Sequence, residues 1–159
     1  MKGVNRLGWT AYGIAAVVIV LDQVVKAWVL GLIQMGQSRP VFGPLQFTLV
    51  PNIGVSFGFL KAEQSATRWA LVAFSLLVAA LIVWWARRAH RALQAIGYGL
   101  IAGGAIGNAI DRARFGAVVD FIDVQRIGFF PWVFNVADSA ITVGVIALLL
   151  DSLRREHAT

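Results

Sequence analysis

Residues 9–30 read WTAYGIAAVVIVLDQVVKAWVL, an apolar run whose only charged members are Asp22 and Lys26. A helix needs about 20 such residues to cross the hydrocarbon of a bilayer, so this stretch predicts a membrane span. Three further stretches, about 69–86, 92–110 and 136–152, carry the same signal. The whole composition agrees. With 58% apolar and 14% charged residues in a chain of 159, too little polar surface exists to solvate a globule of this size, which argues against a water-soluble domain. The expectation is one membrane domain over 1–159, with polar segments at about 31–66 and 112–134 joining the spans. The first run follows Lys2 and Arg6 like a signal peptide. No small-residue cleavage site follows it, however, and an uncleaved span is expected.

Four spans place both termini on one side. Lys2, Arg6, Arg87, Arg88, Arg91, Arg154 and Arg155 crowd the tails and the short connection at 87–91, which predicts cytoplasmic termini by the positive-inside rule. The formal charge of +6 suits anionic headgroups. No basic run sits on an independent polar domain, which argues against nucleic acid. The absence of cysteine excludes disulfides, thiol catalysis and thiolate metal sites.

The connecting segments hold further structure. Leu45-Gln46-Phe47-Thr48-Leu49, between Pro44 and Pro51, alternates apolar and polar residues and predicts a short strand. Residues 52–60 are too apolar for a free loop and are expected against the membrane face. Val118, Val119, Phe121, Phe129, Phe130 and Trp132 suggest that 112–134 adds to the same sheet. Gly99, Gly103 and Gly107 form a smooth helical stripe that lets another helix approach, within the chain or in a second copy. Trp84 and Trp85 read as an interfacial anchor.

Charges inside spans cost about 2.5–3.5 kcal/mol each on insertion scales, so each needs a partner or a role. Asp22 and Lys26, at i and i+4, share a helix face, as a structural ion pair or as part of a substrate site. Asn108, Asp111 and Arg112 end the third span on one face. Either Asp111 and Arg112 are the first residues to reach water, or Asn108 and Arg112 donate hydrogen bonds into a site. Asn135, Asp138 and Thr142 open the fourth span on one face, where Asp138 suits the positive end of the helix dipole. Asp120, in the apolar stretch Val118-Val119-Asp120-Phe121-Ile122-Asp123, falls at the same depth. Two carboxylates in a poorly hydrated place share a proton, one acting as base and the other as acid, which is equipment for activating water against an amide. His90 and His157 lie at the opposite end, so a zinc site or a Ser-His-Asp triad is disfavoured. Ser139 reads as a helix-start hydroxyl. A small cation or drug transporter, suggested by Asp22, Lys26 and Asp138, and a noncatalytic scaffold, suggested by the glycine stripe, are the competing classes.

Five segments in order carry a family resemblance: Asp22-Gln23 with Lys26, Asn52-Ile-Gly-Val-Ser-Phe57, Gly103-Gly-Ala-Ile-Gly-Asn-Ala-Ile-Asp-Arg112, Val118-Val-Asp-Phe-Ile-Asp123 and Phe134-Asn-Val-Ala-Asp-Ser-Ala-Ile141. Over essentially its whole length the chain resembles the prolipoprotein signal peptidases, or signal peptidase II. The resemblance implies an aspartyl endopeptidase of the bacterial inner membrane. Such an enzyme cleaves a lipoprotein precursor just before its diacylglyceryl-modified cysteine. It implies that Asp120 and Asp138 are the catalytic dyad near the periplasmic face. Asn52, Gly54, Asn108, Arg112 and Asn135 match residues around the dyad, and Asp22 and Lys26 match the first-span motif. Asp123 falls in a less constrained part of the pattern. Ala109, where a larger apolar residue is common, departs from it in packing only. The implied fold is a four-helix transmembrane bundle with a small extracytoplasmic sheet and a short membrane-surface helix. Lipid-modified prolipoproteins, membrane lipids and the inhibitor globomycin are the implied partners, the working unit is expected to be a monomer, and no metal or organic cofactor is implied.

Overall fold

The computed structural model describes residues 3–54, 65–125, 128 and 132–156. Four helices are long and apolar enough to cross a membrane: α1 (Arg6–Leu32), α2 (Ser65–Ala86), α3 (Ala92–Phe115) and α4 (Val136–Glu156). The chain is thus a multi-pass membrane protein. Asn5 starts α1 as its N-cap, its side-chain oxygen accepting from Gly8 N at 2.7 Å. Gly116, at φ +80°, ends α3 in the left-handed conformation that favours glycine. The segment expected against the membrane face at 52–60 lies mostly outside the described residues, as do Phe129 and Phe130.

Helix α3 occupies the middle of the bundle, packed on α1, α2 and α4. Its glycines explain how. A Cβ on Gly103 would sit 2.8 Å from Ala15 O and 2.7 Å from Val18 Cβ of α1, and one on Gly99 would meet Ala11 and Ile14 of α1. On another face Gly97 meets Gly144 and Leu148 of α4. The stripe is therefore filled by neighbours within the chain. Lipid-facing side chains such as Val20, Val24, Phe74, Leu77 and Leu149 stay exposed, as a bilayer solvent permits.

At one end of the bundle lies a four-stranded antiparallel sheet of order β1-β2-β3-β4, made of β1 (Ser38–Phe42), β2 (Leu45–Asn52), β3 (Val118–Asp123) and β4 (Val133–Phe134). Sequence alternation identified the core of β2, and the segment 112–134 does complete the same sheet. β1 was not foreseen: Pro40 interrupts the strand signal, and an edge strand tolerates it. Leu49, Val119 and Phe121 bury against Val29 and Ile33 of α1, which fixes the sheet on the bundle. The polar residues singled out from sequence converge at this junction.

Candidate active site

The site is built where α3 ends, α4 begins and β3 crosses between them. In the sheet Val50 pairs with Asp120 and Asn52 with Val118, so Asn52 and Asp120 share a face on neighbouring strands. Asn52 Nδ2 donates to Asp120 Oδ2 at 2.9 Å. Asn52 Oδ1 is held in turn by Gly54 N at 3.1 Å, which fixes the amide with its NH2 toward the carboxylate.

Asn135, fully buried, immediately precedes α4 and ties both acids together. Its Nδ2 donates to Asp120 Oδ1 at 2.6 Å, its Oδ1 accepts from Asp138 N at 2.9 Å, and its backbone N donates to Asp138 Oδ2 at 3.3 Å. Side chain and backbone thus make the reciprocal contacts of a helix start, with an aspartate in the role usually taken by glutamate. Ser139 Oγ donates back to Asn135 O one turn earlier, so it is a hydroxyl within the helix and Asn135 takes the capping place. Asn108 Nδ2 donates to the other Asp138 oxygen, Oδ1, at 2.8 Å. Asp120, Asp138 and Asn52 line one cleft of about 630 Å³, walled by Trp132, Val133, Phe134, Ile141 and Val143.

Burial pushes the Asp120 carboxyl up to about 7, and the negative charge of Asp138 pushes the same way. Hydrogen bonds from Asn52 and Asn135 and the charge of Lys26 oppose the rise without cancelling it. A carboxyl in this state exchanges a proton near neutral pH, where its partner can take up or return the proton.

Behind the two acids stands a buried ionic cluster. Lys26 Nζ lies 2.8 Å from Asp22 Oδ2, 2.8 Å from Asp111 Oδ2 and 3.2 Å from Asn108 Oδ1, which uses all three of its protons. Asp22 Oδ1 accepts from Ala137 N in the first turn of α4 at 2.9 Å, and Asp111 Oδ2 accepts from Val119 N of β3 at 3.1 Å. Gln23 Nε2 donates to Asp111 Oδ1 at 2.9 Å. Asp22, Lys26 and Asp111 are at most 2% exposed. The cluster satisfies the orphan donors of a helix start and a strand while tying α1, α3, β3 and α4 together. Lys26, which can only donate, also fixes the Asn108 amide so that its NH2 faces Asp138.

Every sequence-selected residue lies in this neighbourhood, but two have contacts that sequence did not anticipate. Arg112 reaches neither acid: its Nη2 donates to Gly54 O at 2.8 Å, and among the described residues its Nε has no partner. Asp111 is not the first residue to reach water, because it is the second anion of the Lys26 cluster. Gln23 and the part that Asp111 plays in the cluster are what sequence reasoning missed. A signal for both existed in the i, i+3, i+4 polar face of α3 and in the polar pair Asp22-Gln23. Asp123 is also buried, accepting from Gln46 and Thr48 within the sheet, away from the cleft. Among the described residues no group of three or more His, Cys, Asp or Glu side chains could hold a metal ion.

A sequence model of the family described as Signal peptidase (SPase) II matches residues 14–154, which includes nearly all of the bundle and all of the sheet. The chain belongs to the signal peptidase II family. It is 54% identical over 157 residues to the lipoprotein signal peptidase of Caulobacter vibrioides, covering 97% of this chain and 92% of the relative. It is 45% identical to that of Methylorubrum extorquens over 86% of this chain and 81% of the relative. A solved bacterial membrane enzyme, 30% identical, superposes with a TM-score of 0.81 over 97% of this chain and 93% of that one. For a signal peptidase II, a polar cluster at the mouth of a membrane bundle stands where a membrane-borne peptide can reach it.

Proposed function

We propose that this chain is an aspartyl endopeptidase that removes signal peptides from diacylglyceryl-modified prolipoproteins, cutting just before the lipid-modified cysteine. The observation that carries the reading is the pair Asp120 and Asp138, held by Asn135 in one cleft and each braced by a further asparagine amide. In the mechanism one aspartate, ionised, takes a proton from a water as it attacks the scissile carbonyl. The other, protonated, gives its proton to the carbonyl oxygen, and the tetrahedral diol collapses as the first aspartate passes its proton to the leaving amine and the second takes one back from a diol oxygen. No bond forms between enzyme and substrate. The amides of Asn52, Asn108 and Asn135 keep the carboxylate oxygens turned toward the cleft. Arg112, through its hydrogen bond to Gly54 O, holds the edge of the site. The apolar walls Trp132, Phe134, Ile141 and Val143 suit the lipid-modified residue.

The start of α1 and the last turns of α4 meet the 87–91 connection, where Asn5 donates to Ala89 O and Arg91 pairs with Asp151. The basic residues there support cytoplasmic termini in a bacterial inner membrane, with the site near the periplasmic face. Membrane lipids surround the exposed helix faces, and globomycin is expected to compete for the cleft. With α1 and α4 already filling the glycine faces of α3, a single chain is the expected working unit. The test is to incubate purified protein with a lipid-modified precursor, with and without globomycin. Globomycin-sensitive release of the signal peptide is expected. An uncut precursor in an active-lipid environment would favour a transport or scaffold role.

A further inference from the structure

Arg68 lies in the first turn of α2, at the positive end of its own helix dipole, where a cation is disfavoured. Its guanidinium is turned instead to the far end of α3. Nε donates to Arg112 O at 2.8 Å and Nη2 donates to Ala113 O. The last four carbonyls of a helix lack intrahelical partners and carry the negative end of its dipole. Arg68 therefore supplies both hydrogen bonds and charge where α3 needs them. Gly116 N also donates to Arg112 O at 3.0 Å, so this one carbonyl is held from two sides. The guanidinium stacks over the Trp69 ring at 5.2 Å, which limits its swing.

The turn so clamped is the one that carries Arg112. From there a chain of short contacts runs inward: Arg112 Nη2 to Gly54 O at 2.8 Å, Gly54 N to Asn52 Oδ1 at 3.1 Å, and Asn52 Nδ2 to Asp120 Oδ2 at 2.9 Å. We propose that Arg68 is a positioning residue for the peptidase site, a two-carbonyl clamp on the end of α3 that sets Arg112 and, through Gly54 and Asn52, the orientation of Asp120. This inference rests on the aspartyl reading above. It adds a residue of α2 whose hydrogen bonds go to the backbone of α3 and to neither aspartate. Arginine suits the role because its planar fork spans two neighbouring carbonyls, whereas lysine presents a single point charge.

The test is a double-mutant cycle in lipid-containing micelles, using Arg68→Gln, Arg112→Gln and the double variant against a lipid-modified precursor. Arg68→Gln is expected to lower kcat about tenfold, in line with the cost of small misplacements at a reacting centre, with a smaller change in KM. In the Arg112→Gln background it should cost nothing further, because its path runs through Arg112. The alkaline limb of its kcat against pH should move in the same direction as in Asn52→Ala, a change that loss of helix stability alone would not produce. Arg68→Lys, with charge but no fork, should fall between wild type and Arg68→Gln, and it replaces Arg68→Gln in the cycle if that variant does not accumulate in the membrane. Wild-type kcat in Arg68→Gln or Arg68→Lys, losses that multiply in the double variant, or an unmoved pH limb would each overturn the clamp. If the wild-type protein itself leaves the precursor uncut, the aspartyl reading fails first and the clamp with it. If the wild type cuts and Arg68→Gln cuts equally well, only the clamp fails.

Discussion

Replacing Lys26 by methionine keeps the length and apolar stem of the side chain and removes only the ammonium group. In the folded protein that group sits 2.8 Å from each of two buried carboxylates, Asp22 and Asp111, and 3.2 Å from Asn108 Oδ1. Without it two acids that are at most 1% exposed face each other with no cation between them. Removing one partner of a buried ion pair costs about 3–5 kcal/mol, because the remaining charge has lost its solvation and its counterion. Backbone donors from Ala137 and Val119 still reach the two carboxylates and soften the loss, so the lower half of that range is expected. For a chain of this size each kcal/mol moves Tm by roughly 2–4 °C, and Lys26→Met should therefore lower Tm by roughly 6–16 °C. The assay is thermal unfolding of purified protein in detergent, followed by intrinsic tryptophan fluorescence. Neutralising both acids as well, in Lys26→Met with Asp22→Asn and Asp111→Asn, should recover part of the loss, since the charge imbalance is gone. A Tm within 2 °C of wild type for Lys26→Met, or no recovery on neutralising the acids, would refute the view that the cluster is an ionic tie between α1, α3 and α4.

Four further outcomes follow from the site and the packing. Since Asp120 holds its proton up to about pH 7, turnover should fall as pH rises through that region and the shared proton leaves. Asn52→Ala, which removes a hydrogen bond favouring the charged form, should move that fall to higher pH in a kcat profile. The same raised carboxyl gives stability that is full below its ordinary value of 3.8 and lost as pH rises through about 7, so Asp120→Asn should flatten that part of a Tm against pH curve. Gly103→Val places its Cβ 2.7 Å from Val18 Cβ and 2.8 Å from Ala15 O, and should cost about 1–3 kcal/mol of stability by separating α1 from α3; an unchanged Tm would mean that the two helices yield without cost.

How far the sequence reaches is clear from particular residues. The four spans were legible because lipid demands long apolar runs, and β2 because Leu45–Leu49 alternates between two faces. The two acids were legible because carboxylates in apolar surroundings need a reason. Asp111 was harder. At the end of a span an acid ordinarily meets water, and only the close approach of α1 to α3, allowed by Gly103 and Gly107, puts it on Lys26. The partners of Arg112 and Arg68 left no trace, since both donate to backbone carbonyls, which every residue possesses. β1 was hidden by Pro40, which is harmless on an edge strand, the place that β1 takes among the described residues.

The central claim is that Asp120 and Asp138 together activate water. The direct measurement is single-turnover cleavage of a purified lipid-modified precursor by Asp120→Asn and by Asp138→Asn, each checked for insertion and folding by its Tm. Each variant should retain the fold and bind the precursor while losing cleavage by about three orders of magnitude or more, as removal of a general acid or base does. Cleavage within tenfold of wild type by either folded variant would contradict the dyad.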